Sequence, residues 1–335
     1  MSETQNIATM AEILSDEIFK WLKWEKTGTT NIDFDCMSKN HKKSTHPTDV
    51  VFTYYDPYNG KRIYLNCDLK SYADKTLSKK NLTNTLQSLA MSIDCAELSQ
   101  KWKDAYLMQA NENYEINGLL FIFNHDNSSN KSITDLLSRV NFKNIPITKG
   151  KKIFVFSPDE INYFNNIVQD LKSMKADDKF KSFQDYTFYY PDLKLKRRHN
   201  AENDMWSNPA TVEQLTSPWL IVKYRNEDNK FKESYIVYYR GRGETVDEFV
   251  YLIDTLSAYQ LVSSDNEINV RFYNSSKNAT SNFRKAITQY LQSWNMDTSR
   301  KDDLGSLRAS SITNNVTVQF NDHEIGMNIR GWNND

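Results

Sequence analysis

Cysteine is scarce in this chain: Cys36, Cys67 and Cys95 are its three in 335 residues. They lie far apart with no C-x-x-C pair, which leaves no disulfide framework to read. No His-Cys cluster has the usual metal-ligand spacing, and the five histidines, His41, His46, His125, His199 and His323, form no recognisable zinc motif. Reduced, buried cysteines are therefore expected. Long apolar runs are missing too, since Leu119-Leu120-Phe121-Ile122-Phe123 is far too short to span a membrane. No signal-peptide pattern follows Met1, so a cytoplasmic location without a membrane partner is expected. Charge of one sign is lacking as well. With 42 Lys and Arg against 43 Asp and Glu the net charge is −1, which excludes a polycation and confines any nucleic-acid site to a local groove. Local basic clusters are present at Lys39, Lys42 and Lys43, at Lys61-Arg62, at Lys75, Lys79 and Lys80, and at Lys194-Leu195-Lys196-Arg197-Arg198.

The length suits two domains, and 39% hydrophobic with 25% charged residues is ordinary globular material. Apolar positions at Ile7, Met10, Ile13, Leu14, Ile18, Trp21 and Leu22 trace an amphipathic helix over 7–24. A strand is expected at Asn31–Met37, a helix over 78–99 from the stripe Leu82, Leu86, Leu89, Ala90, Ile93 and Ala96, and a buried strand at Gly118–Phe123. Beyond these, the pattern gives a helix at Ser132–Val140 and a strand at Lys152–Phe156. Ser157-Pro158-Asp159-Glu160 then reads as a capped helix start, which accounts for its acidic pair. After a charged and aromatic stretch, strands at Trp219–Tyr224, Ser234–Tyr239, Ile268–Tyr273 and Val316–Phe320 alternate with helices at Thr245–Tyr259 and Thr280–Trp294. That is a second α/β unit. Arg240-Gly241-Arg242-Gly243 ahead of its first helix reads as an anion pocket at a helix N-terminus or as a plain strand-to-helix turn.

The most informative stretch is 49–70. Asp49–Tyr55 and Lys61–Lys70 are rich in β-branched and aromatic residues, and Pro57-Tyr58-Asn59-Gly60 between them is turn chemistry. With Pro57 opposite Gly60, Val50 falls opposite Cys67, Phe52 opposite Leu65 and Tyr54 opposite Ile63, an unbroken apolar face. The other face then places Asp49 across from Asp68, with β-carbons roughly 4.5–5.5 Å apart, and Lys70 one step along. Opposed carboxylates repel, and a divalent cation removes the objection; an oxygen-rich site with one or two carboxylates suits Mg²⁺.

The spacing alone is weak. Asp-x-Lys recurs at Asp170-Leu171-Lys172, Asp177-Asp178-Lys179, Asp192-Leu193-Lys194 and Asp228-Asn229-Lys230. Only Asp68 sits on a strand whose hairpin partner supplies a second carboxylate to the same face.

Pro47-Thr48-Asp49, the turn, and Asp68-Leu69-Lys70, set in an αβββαβ order over roughly residues 7–124, resemble the PD-(D/E)XK nuclease superfamily and its restriction-endonuclease-like fold. The chain departs from the pattern in placing Thr48 between Pro47 and Asp49. The resemblance implies that Asp49 and Asp68 bind Mg²⁺, or Mn²⁺, with the Leu69 carbonyl as a further ligand, and that Lys70 orients or deprotonates the attacking water. It also implies Glu17 as a metal-reaching glutamate on the first helix, in competition with Glu12. Gln87 is a helical candidate by the same resemblance, although Met91 stands where relatives carry a tyrosine. His46 is a candidate for contact with the scissile phosphate.

The fold class expected is thus α/β, a restriction-endonuclease-like core with a mixed sheet plus a second C-terminal α/β domain. Residues 1–175 would form the nuclease-like domain with an added helix-strand-helix, 176–210 an inter-domain segment, and 211–335 a recognition or assembly domain. The function implied is a metal-dependent nuclease acting on DNA, with RNA cleavage and a non-catalytic nucleic-acid-binding or assembly subunit as alternatives. An extra domain on a compact nuclease core also resembles the layout of prokaryotic anti-phage defence effectors, which implies a companion subunit or a homo-oligomer.

Overall fold

The computed structural model describes residues 13–72, 78–109, 112–124, 133–191, 207–228 and 232–312. Among them the chain divides into two compact units, one running to Asn165 and one from Asn166 onward. The basic run at 194–198, Lys75, His125, His199, His323, Glu12 and the strand expected at 316–320 lie outside the described residues.

Among the described residues, the first helix of the first unit is α1 (Leu14–Phe19), wound as a π-helix. The helix expected to reach residue 24 stops here because the Trp24 N–H turns back to the Phe19 carbonyl at 2.8 Å and Lys23 takes a left-handed φ of 61°. Phe19 and Trp24 then stack at 4.8 Å and cover Phe52 and Tyr54 of the sheet.

The central sheet contains β1 (Glu25–Thr27), β4 (Val50–Asp56), β5 (Lys61–Tyr72), β6 (Tyr114–Asn124) and β7 (Ile153–Phe156), in the order β1-β4-β5-β6-β7. The first three are antiparallel neighbours, and β5, β6 and β7 run parallel. The sheet is mixed, as expected. The strand expected at 31–37 forms as β2 (Ile32–Asp35) but does not join it; β2 pairs with β3 (Thr45–Thr48) in a separate two-stranded ribbon. The place beside the hairpin goes instead to β1, a short polar edge strand that periodicity does not reveal.

Register in the hairpin is the one the turn dictates: Val50 faces Cys67, Phe52 faces Leu65 and Tyr54 faces Ile63. Asp56 closes the turn by accepting the Tyr58 and Asn59 N–H groups, and Gly60 supplies the left-handed φ of 63°. The parallel step from β5 to β6 passes through α2 (Lys79–Ala96) and α3 (Gln100–Tyr106). Leu82, Leu86, Leu89 and Ile93 of α2 pack with Leu120 and Ile122, so the sheet is covered on this face too. After α4 (Ile133–Ser138) and β7, the start of α5 (Pro158–Ala176) is capped as its sequence says: the Ser157 N–H donates to Glu160 Oε2 at 3.0 Å.

The second unit is a five-stranded sheet in the order β12-β11-β10-β9-β8. Its strands are β8 (Tyr186–Phe188), β9 (Trp219–Tyr224), β10 (Glu233–Tyr239), β11 (Asn266–Phe272) and β12 (Leu307–Ser311), and its helices α6 (Val212–Leu215), α7 (Val246–Ala258), α8 (Ala279–Ser293) and α9 (Thr298–Leu304). The aromatic stretch at 186–190, expected between domains, thus supplies this sheet with an edge strand. At Arg240–Gly243 the chain makes a strand-to-helix turn. Glu248 Oε2 accepts from the Gly243 N–H and Glu248 Oε1 from the Thr245 N–H, so a carboxylate of the chain itself satisfies the start of α7.

Candidate active site

Asp49 sits at a break between two sheets. Thr48 ends β3 and Val50 begins β4, while the Asp49 carbonyl accepts from the Asn31 N–H at 2.9 Å. The antiparallel ladder ends at the pair Val50–Cys67, one residue short of Asp68. The Leu69 N–H, left beyond the ladder, donates to Asp49 Oδ2 at 2.7 Å. A side chain therefore replaces a backbone partner, and the replacement aims the Asp49 carboxylate at the strand carrying Asp68 and Lys70.

Asp49, Asp68 and Lys70 line one cavity of about 240 Å³, as the hairpin register requires. Lys70 Nζ lies 2.6 Å from Asp68 Oδ1, an atom that is enclosed and accepts no hydrogen bond of good geometry. Asp49 keeps its proton to an unusually high pH. Burial, then the neighbouring Asp68 charge, push its pKa from 3.8 to about 7, against the opposing pull of the Leu69 N–H and the Lys70 ammonium. On the reverse face Val50, Phe52, Tyr54, Ile63, Leu65 and Cys67 are all buried.

The opposite wall of the cavity comes from α2 through Asn84, Thr85 and Ser88. Lys43, from one of the basic clusters, reaches the rim and donates to Ser88 Oγ at 3.0 Å. Sequence reasoning chose Gln87 on this helix and missed these three. The available signal was the buried stripe itself: Thr85 and Ser88 border Leu86 and Leu89, and on that side of the stripe the helix meets the cavity. Gln87 is instead turned to the 141–145 turn, where its amide donates to the Asn144 carbonyl at 3.0 Å. Glu17 is half-buried on α1 and is not among the residues lining the cavity. His46 is fully buried and does not line it either; burial, with Lys43 and His41 nearby, lowers its pKa to about 4, so it carries no charge to offer a phosphate.

The donor set fits a hard divalent cation. Two carboxylates converge on one small cavity, one of them protonated only because burial and its neighbour make a second negative charge costly. Carboxylate oxygens suit Mg²⁺ or Mn²⁺ rather than zinc, and burial pushes up the thiol of Cys67, which also borders the cavity, so that it offers no thiolate.

No curated protein matches the chain. The family model described as "GAPS4 protein PD-(D/E)XK nuclease domain" matches residues 1–160, which contain α1, the central sheet, the hairpin and the whole of this cavity. No helix among the described residues is long and apolar enough to cross a membrane. Over residues 1–160 the chain is therefore similar to the PD-(D/E)XK nuclease domain of GAPS4 proteins.

Proposed function

We propose that the chain is a Mg²⁺-dependent nuclease, with Mn²⁺ as a substitute, that hydrolyses phosphodiester bonds of DNA as the effector subunit of an anti-phage defence system. The observation that carries this reading is the meeting of Asp49, Asp68 and Lys70 in one cavity inside a domain of nuclease family. Asp49 and Asp68 would hold the cation through carboxylate oxygens. In extended backbone the N–H and C=O of one residue point to the same side of the strand, so the Leu69 carbonyl lies on the edge that its N–H presents to Asp49. It is the third ligand of the proposal.

When bound, the cation supplies an activated water at neutral pH and charge compensation for the phosphate. The protein's own groups do the rest. Lys70 presents its ammonium to the attacking water and the developing negative charge, at a position fixed by β5. Asn84, Thr85 and Ser88 offer neutral hydrogen-bonding groups on the facing wall, where a phosphodiester backbone can lie without a sequence being read.

The decisive experiment incubates the purified full chain with linear DNA, circular DNA and RNA, with Mg²⁺, Mn²⁺ or EDTA. Cleavage of DNA that EDTA stops is expected. Cleavage of RNA alone would move the substrate; no metal-dependent cleavage, with or without candidate companion proteins, would sink the enzymatic reading in favour of a binding or assembly subunit.

The raised pKa of Asp49 makes a second prediction. In the metal-free protein this carboxyl contributes stability that is fully present below about pH 4 and is lost as pH rises through about 7, because the folded state alone retains the proton. A cation needs the ionised form and competes with that proton. Apparent Mg²⁺ affinity should therefore climb about tenfold per pH unit below 7 and flatten above it. Calorimetric titration with Mg²⁺ between pH 5.5 and 8.5 measures this, and an affinity flat across the range would refute the assignment of Asp49 as a ligand.

A further inference from the structure

A second cluster of donors lies outside the lining of the cavity, and none of its members serves the proposed chemistry. Cys36 follows β2, His41 ends a short 3₁₀ turn, His46 lies within β3, and Cys95 lies in the last turn of α2. One ligand atom from each falls within 4.8 Å of all the others. The distances are those of a coordination shell. A tetrahedral ion with metal–sulfur bonds of about 2.3 Å and metal–nitrogen bonds of about 2.0–2.1 Å has sulfur–sulfur edges of about 3.8 Å and sulfur–nitrogen edges of about 3.5 Å. Here Cys36 Sγ and Cys95 Sγ are 3.8 Å apart, and His41 Nδ1 lies 3.7 Å and 3.3 Å from them.

Three further observations point to an ion. Both ring nitrogens of His46 are buried and accept or donate no hydrogen bond. His41 turns its other nitrogen, Nε2, toward Asp94 Oδ2 at 3.7 Å, a carboxylate-histidine pairing that fixes which nitrogen faces inward. The Met37 N–H donates to Cys95 Sγ at 3.3 Å, the support a thiolate ligand receives. A disulfide would account for two of the four residues and leave both imidazoles without a role; the cysteines are free.

We propose that Cys36, His41, His46 and Cys95 form a closed structural zinc site. Two sulfur and two nitrogen donors select zinc over the oxygen-preferring Mg²⁺ of the nuclease cavity, and four protein ligands leave no open position for substrate. The site ties the β2–β3 ribbon to the end of α2. Asp49 follows His46 by three residues, and α2 supplies the facing wall of the cavity, so the ion would lock the two walls together.

The test uses the full chain, purified without a histidine tag and dialysed, with metals measured by plasma mass spectrometry. About one zinc per chain is expected, with near-complete loss on His46→Ala or Cys95→Ser. Asp94→Asn, which leaves all four ligands in place, should weaken zinc about 10–100-fold in competition with a chelator. Replacement by Co²⁺ in the unaltered protein should give tetrahedral ligand-field bands and thiolate-to-metal charge transfer, a readout that does not depend on any variant folding. Asp68→Asn should keep the zinc, which separates this claim from the nuclease reading. Absence of both zinc and the cobalt bands, a different metal at full occupancy, or a Cys36–Cys95 disulfide in the peptide map would overturn the proposal.

Discussion

Lys70→Met should lower metal-dependent cleavage by about 10²–10⁴-fold, the range lost with a positioned proton-transfer group, while leaving the fold intact. Methionine keeps the unbranched stem on β5 and removes the ammonium that lies 2.6 Å from Asp68 Oδ1. With Lys70 35% and Asp68 18% exposed the pair is only partly screened, and such a pair contributes about 1 kcal/mol, so unfolding by denaturant should change little. Two causes of lost activity have to be separated. Lys70 also holds the pKa of Asp49 down, so its removal raises that pKa further and weakens cation binding near neutrality. Excess Mg²⁺ at pH 8.5 reverses the second cause and leaves the first. Activity that stays low there places Lys70 at the reacting groups, and activity fully restored there makes it a guardian of the carboxylates only. Lys70→Arg keeps the charge, but its guanidinium does not give up a proton, so recovery of less than about a tenth of wild-type activity is expected. A Lys70→Met variant as active as wild type at pH 7 would end the proposed role.

What the sequence disclosed is what local physics controls. The Pro57–Gly60 turn and the alternation on either side of it admit one register, and that register carries Asp49, Asp68 and Lys70 to one face regardless of the rest of the chain. The stripe on α2 and the cap at Ser157 are equally local. Edge strands are not. Glu25-Lys26-Thr27 and Leu307-Arg308-Ala309-Ser310-Ser311 are short and largely polar, and only their neighbours in space make them strands. For the same reason the strand at 32–35 was legible as a strand but not in its partner, which a break at Asp49 moves into a second ribbon.

The candidate site divides along the same line. Its strand residues follow from the register, whereas the choice among Asn84, Thr85, Gln87 and Ser88 depends on how α2 rolls over β6, a matter of packing between Leu89 and Leu120 rather than of spacing. The four residues of the proposed zinc site are the extreme case. Three lie within eleven positions at intervals that match no common motif, and the fourth arrives from 49 residues further on. Separation in sequence hides such a site until the helix is docked.

Trp102→Ala should destabilise the first unit by about 3–5 kcal/mol, the cost of removing a fully enclosed aromatic side chain. The ring sits between Tyr64 and Tyr106, at 6.0 and 5.2 Å. Its Nε1–H donates at 3.1 Å to Asn66 Oδ1, which also accepts from Thr48 Oγ1 at 2.9 Å, while Asn66 Nδ2 donates to Ser92 Oγ at 3.0 Å. Thr48 immediately precedes Asp49, and Ser92 belongs to the helix that forms the facing wall, so this buried network holds both sides of the cavity from beneath. Trp102→Phe separates packing from polarity. It retains most of the apolar contact and leaves Asn66 one donor short but still satisfied by Thr48, for a cost of about 1–3 kcal/mol. Urea unfolding followed by circular dichroism gives the energies, and Mg²⁺ titration of the folded variants gives the consequence at the site. The alanine variant should bind the cation more weakly than the phenylalanine variant at equal fraction folded, because it lets Asn66, and through its bond to Thr48 the segment that delivers Asp49, relax into the space the indole filled. A Trp102→Ala variant within 1 kcal/mol of wild type, or one that binds Mg²⁺ as tightly, would show that Asp49 is positioned by its own hydrogen bond to Leu69 and not by the core beneath it.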